Sequence, residues 1–205
     1  MKKERPRRNW FLLQSIVILI SVPVLSNANE LVVLSEQGIA VGWSVGVLDL
    51  RDVDGNYEVI PVAYRLGYDP KGLMDRYLDL SLPGEVTLAL EPFVGLGSTP
   101  SNEFEVGWAA MIQYSFYPKE SNKRIHPYLD MGAGFIYTTV DWDDSTQYNL
   151  LLQAGTGINV RLSDQENKLT MGIRMRHYSN AGLDDRNKGI NNIHFFLGIT
   201  WKCFP

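Results

Sequence analysis

The chain has 205 residues, 23 Asp+Glu against 19 Lys+Arg, a formal net charge of -4 and one cysteine, Cys203. That length suits one domain. An acidic chain without a basic stripe is a poor fit to nucleic acid, and a lone cysteine excludes an internal disulfide and a thiolate metal cluster.

Residues 1–28 have the order of a secretory signal peptide. Lys2, Lys3, Arg5, Arg7 and Arg8 precede an apolar run from Trp10 to Leu25, and Ser26-Asn27-Ala28 follows as a small-residue cleavage site. The competing reading is a membrane anchor. The run suits it less well, since it contains Gln14 and Pro23 and is shorter than the roughly 20 apolar residues of a spanning helix. Without residues 1–28 the chain keeps 14 Lys+Arg and 22 Asp+Glu, a formal charge of -8. Nothing later in the sequence resembles a transmembrane helix. Residues 29–205 are therefore expected to form a single domain, either periplasmic or a membrane β-barrel, the one strand-built structure that satisfies its backbone in lipid.

Strand patterns recur along the chain. Ile39 to Asp49 sets Ile39, Val41, Trp43, Val45 and Val47 against Ala40, Gly42, Ser44 and Gly46. A turn signal at Asp54-Gly55-Asn56 follows, then a second strand from Tyr57 to Leu66. Gly67 to Gly84 is the least regular part; Leu73-Met74 and Tyr77-Leu78 fit one short amphipathic helical turn. Glu85 to Gly97, Phe104 to Tyr114, His126 to Tyr137 and Gln147 to Arg161 are the next four strands. Val140 to Ser145 is expected to be a polar loop. Thr170 to Ser179 and Asn192 to Trp201 close the count at eight, with Met171, Ile173, Met175, His177 and Ser179 on one face of the seventh.

One face of these strands is aliphatic or aromatic; the other is rich in Gly, Ser, Gln, Asp, Glu and Arg. A soluble barrel or sandwich would bury the apolar face. Three features favour the inverted arrangement, an all-β, eight-stranded antiparallel outer-membrane β-barrel. Tyr and Trp recur near strand ends, several strands are long enough to span when tilted, and small residues on the polar face leave room for Arg174, Arg176, Glu91, Glu105 and Asp130 to pair inside.

With an even strand number and both termini in the periplasm, the connection between strands seven and eight is extracellular. His177 and Ser179 then face the outer leaflet, whose lipid A carries ester-linked acyl chains, and Asn191 has the same outward parity across the loop. A serine hydroxyl becomes a nucleophile when a neutral imidazole takes its proton and a third group fixes the imidazole tautomer. Asn180, Asn187 and the amides of Ala181 and Gly182 are candidate oxyanion donors; Gly182 and Gly189 are expected to permit the turn that aims them. Side chains at i and i+2 have Cβ atoms about 6 to 7 Å apart, a gap the side chains or a strand bulge must close. Taken alone, H-x-S is a weak signal that a belt histidine and a loop serine also produce. His126 and His194 fall on the polar parity. Three histidines and a single cysteine make zinc a poor fit, and the aspartates at 141, 143, 144, 184 and 185 have no EF-hand spacing for calcium.

Arg174-Met175-Arg176-His177-Tyr178-Ser179-Asn180-Ala181-Gly182, followed by Asn187-Lys188-Gly189-Ile190 and a final apolar strand, resembles the lipid A 3-O-deacylase (PagL) family, which is grouped with acyloxyacyl hydrolase-like sequences. The resemblance implies a serine-type esterase on the outer wall of an outer-membrane barrel, removing the acyl chain at position 3 of lipid A in lipopolysaccharide without a cofactor. Its implied site is His177 as base, Ser179 as nucleophile, and Asn180, Gly182 and Asn187 around the oxyanion. Where the family pattern has a glutamate that orients the histidine, this chain has Asn191, which can still accept an imidazole N–H; Asp184 or Asp185 is the alternative orienter. Partners implied are lipopolysaccharide and outer-membrane lipids, with a homodimer as a possible assembly. The alternative function is a non-catalytic outer-membrane barrel that binds lipid or has a structural role.

Overall fold

The computed structural model describes residues 32–46, 57–77, 84–99, 102–116, 124–140, 146–162, 167–183 and 189–203. The expected signal peptide, Asn187 and the aspartates at 141, 143, 144, 184 and 185 lie outside them. The described elements are β1 Val33–Gly46, β2 Glu58–Asp69, α1 Lys71–Tyr77, β3 Glu85–Thr99, β4 Phe104–Ser115, β5 Ile125–Thr138, β6 Tyr148–Arg161, β7 Lys168–Ser179 and β8 Ile190–Lys202. Each strand pairs antiparallel with its neighbour in sequence, and β1 pairs with β8 to close the barrel. Closure removes both sheet edges, so every strand has two partners.

Alternation decides which residues point in. On β7, Met171, Ile173 and Met175 are 36%, 38% and 59% exposed, whereas Arg174, Arg176 and Tyr178 are 6%, 3% and 1% exposed. The apolar stripe therefore lies outside, with Trp43, Ile112, Leu129, Met131, Phe135, Leu152 and Leu197 all exposed. Outward aromatics gather near strand ends: Phe104, Tyr137 and Tyr148 touch in series at one end of β4, β5 and β6, and Tyr114 meets Phe116 at the other. An apolar band between aromatic girdles is the outer surface of a membrane barrel.

The inside is filled. Arg174 donates to Glu91 at 2.7 Å and to Asp130 at 2.8 Å, Arg65 bridges Glu91 and Glu36, and Lys168 reaches Glu36 at 3.1 Å. Toward the end of the barrel where β7 finishes, Tyr57, Val59, Phe93, Ile136, Leu151 and Tyr178 form an apolar interior cluster. Apolar side chains thus share the inner face with the Gly, Ser, Gln, Asp, Glu and Arg that the sequence shows there. Polar groups this deep persist because each charge meets an opposite one.

The largest departures from the boundaries the sequence suggests are in β1 and β2. β1 starts at Val33, six residues before Ile39, because a register shift between Leu34 and Glu36 breaks the alternation there. β2 continues to Asp69, and the expected helical turn is α1. Val140, read as the start of a polar loop, is 2% exposed and belongs to the interior cluster.

Candidate functional site on the outer wall

β7 pairs with β6 from Lys168↔Arg161 to Ser179↔Leu150 without a register shift. His177 and Ser179 therefore keep their outward parity to the strand's end, and no bulge draws them together. The strand is fixed from inside. Arg174 is held as above, while buried Glu105 accepts from Arg176 at 3.3 Å, Tyr178 at 3.3 Å and Tyr57 at 2.8 Å. Three successive inward side chains of β7 are thus tied to other strands, and the outward ones between them inherit that position.

On β8, Asn191 lies opposite His177 in the register. Its Oδ1 is 2.8 Å from His177 Nδ1. An amide oxygen only accepts, so Nδ1 carries the proton of this bond, and in the neutral ring the lone pair is then on Nε2. No hydrogen bond joins Ser179 to His177 among the described residues.

After Ser179 the chain turns sharply. Leu183 N–H donates to Asn180 O at 3.1 Å, and Ala181 and Gly182 both have positive φ, 55° and 78°, as a type I′ turn requires. Asn180 is buried, and its Oδ1 accepts the Gly182 N–H at 2.9 Å. In this conformation these two residues bond each other and shape the turn. Gly189 differs from the expectation of a turn glycine, since it is not among the positive-φ residues. Its role is space: a Cβ there would lie 2.6 Å from His177 Cε1 and 3.2 Å from Nε2. The sequence shows the glycine but not what passes over it.

The structure thus brings together His177, Asn191 and Gly189, with Ser179 one step along β7 and the Asn180–Gly182 turn just beyond. The other two histidines point inward. His194 Nδ1 is 2.9 Å from Ser44 Oγ inside the barrel, and His126 is 2% exposed. No group of three or more His, Cys, Asp or Glu among the described residues is arranged to hold a metal ion.

A closed eight-stranded barrel with an apolar outer band and a polar histidine site on its outer wall is an outer-membrane β-barrel. The model of the lipid A 3-O-deacylase (PagL) family matches residues 63–200. The chain belongs to that family, and with it to the outer-membrane hydrolases that modify lipid A. No curated protein sequence matches it significantly. Among solved structures it is similar to the outer membrane enzyme PagL, at 20% identity and a TM-score of 0.52, over 78% of this chain and 97% of that one. It is also similar to Neisserial surface protein A, at 15% identity and a TM-score of 0.60, over 84% of this chain and 99% of that one. At these identities the likeness is one of fold.

Proposed function

We infer that the protein is a serine-type lipid A deacylase that cleaves an ester-linked acyl chain, at position 3, from lipopolysaccharide in the outer leaflet. Ser179 Oγ attacks the ester carbonyl while His177 Nε2 takes its proton. Asn191 Oδ1 accepts the Nδ1–H and holds the tautomer that leaves Nε2 basic. The tetrahedral oxyanion is met by donors of the β7–β8 loop, with Asn187 as a side-chain amide donor and Asn180 and Gly182 setting the turn. Collapse expels the sugar hydroxyl, which takes the proton back from His177. Water, activated by the same imidazole, then releases the fatty acid from Ser179.

The observation that carries this reading is the outward His177–Asn191 hydrogen bond of 2.8 Å beside Ser179, on a wall whose neighbours are apolar and exposed. An ester in the membrane reaches that wall without leaving the lipid. Mass spectrometry of lipid A from cells producing the protein is expected to show loss of one hydroxyacyl chain. Cells with Ser179→Ala, inserted to the same level, are expected to keep it; deacylation by that variant would remove Ser179 from the mechanism.

A second reading is a non-catalytic barrel that binds lipid. It is favoured by Asn191 standing where a carboxylate would be stronger and by the absence of a Ser179–His177 hydrogen bond. Hydrolysis of a short-chain nitrophenyl ester in detergent separates the two: equal rates for wild type and His177→Ala would favour the second.

A further inference from the structure

The two glycines that flank the β7–β8 loop have different reasons to be glycine. Gly182 has φ +78° and nothing within 4 Å of an added Cβ, so it serves backbone conformation. Gly189 has no positive φ, yet an added Cβ would sit 2.6 Å from His177 Cε1, 3.2 Å from His177 Nε2 and 3.0 Å from the Tyr178 carbonyl oxygen. The ring passes through the space where that side chain would be.

The register says what this accomplishes. His177 pairs with Asn191 and Tyr178 with Ile190; continuing by one pair sets position 189 across from Ser179. With Nδ1 bonded to Asn191 Oδ1, the imidazole leans along β8 toward the loop. Its Cε1–Nε2 edge then lies over Gly189, in the row that Ser179 occupies. An i,i+2 pair on an unbulged strand leaves about 6 to 7 Å between Cβ atoms, and the lean moves Nε2 along that gap.

We propose that Gly189 is a positioning residue for the hydrolytic reaction: its missing side chain lets the His177 imidazole lean from Asn191 into the row of Ser179. This rests on the esterase reading above. At 3.0 Å the Tyr178 carbonyl has to give by only a few tenths of an ångström, whereas the ring, with Cε1 at 2.6 Å, is closer than a Cβ contact allows and must move. Nδ1 then loses Asn191, or Nε2 leaves the Ser179 row.

The test is Gly189→Ala, purified in detergent and assayed on lipid A, with His177 followed by NMR through its Cε1–H signal, assigned by its loss in His177→Ala. Expected are a kcat at least tenfold lower, a KM within about twofold of wild type, and a shifted His177 signal. The signals of His126 and His194, inside the barrel, should stay in place. A role in folding alone would move all three signals or none. A wild-type kcat, or a lowered kcat with the His177 signal unmoved, overturns the proposal. If Gly189→Ala fails to fold, the double variant with His177→Ala is expected to fold, because the ring it meets is gone; failure of both also overturns it. Ser179→Ala in the same assay separates the two readings. If it is active the esterase reading fails, whereas if it is inactive beside a fully active Gly189→Ala only the present inference does.

Discussion

Asn191 stands directly across from His177 in the β7–β8 register, its Oδ1 2.8 Å from Nδ1. A neutral amide fixes the tautomer but adds little stabilisation to the imidazolium that forms as Ser179 loses its proton. Asn191→Ala is therefore expected to lower kcat about 100-fold, less than the roughly 10⁴-fold that a compromised triad carboxylate costs. Asn191→Glu should raise kcat about tenfold, which corresponds to about 1.4 kcal/mol of added stabilisation. Steady-state kinetics on lipid A checks both. An unchanged kcat for Asn191→Ala would exclude Asn191 as the orienter.

Met131 tests the membrane orientation. It is 62% exposed in the apolar band, flanked by Ile112 on β4 and Ala154 on β6. If that face meets lipid, Met131→Arg costs about 2–4 kcal/mol near the bilayer midplane. On an aqueous surface it would cost close to nothing. Unfolding in lipid vesicles against denaturant gives the difference.

Glu91 is the hinge of the interior network, since it accepts from both Arg65 and Arg174. Its removal strands part of two buried guanidinium charges, and Glu91→Ala is expected to destabilise the barrel by about 3–5 kcal/mol. The same denaturation experiment reads it out.

Ala181 has φ 55° without being glycine, a conformation that costs an L-residue about 1 kcal/mol. Ala181→Gly is expected to recover that amount, less the added freedom of the unfolded chain. Gly182→Ala, at φ 78°, should lose a similar amount. Melting temperatures of the two variants should move in opposite directions.

Much of this architecture is written in the alternation. The outward stripe of Met171, Ile173 and Met175, and the inward placement of Arg174, Arg176, Glu91, Asp130 and Glu105, follow from parity; which cation meets which carboxylate does not. Other features carry no such signal. Glu36 is hidden by the register shift beside Leu34, and Arg65 by apolar neighbours on both sides. Phe93, Ile136 and Leu151 point inward although their chemistry suits either face. In the site, the parity of His177, Ser179 and Asn191 could be read in advance. The mutual bond of Asn180 and Gly182, and the ring seated over Gly189, depend on a loop conformation that spacing does not determine.

The most direct measurement of the central claim is covalent trapping. A fluorophosphonate reacts with a serine whose proton a neighbouring base removes. Peptide mass mapping of the labelled protein is expected to find the adduct on Ser179, forming far more slowly in His177→Ala. An adduct on another serine, or full lipid A deacylation with Ser179 quantitatively blocked, would contradict the account.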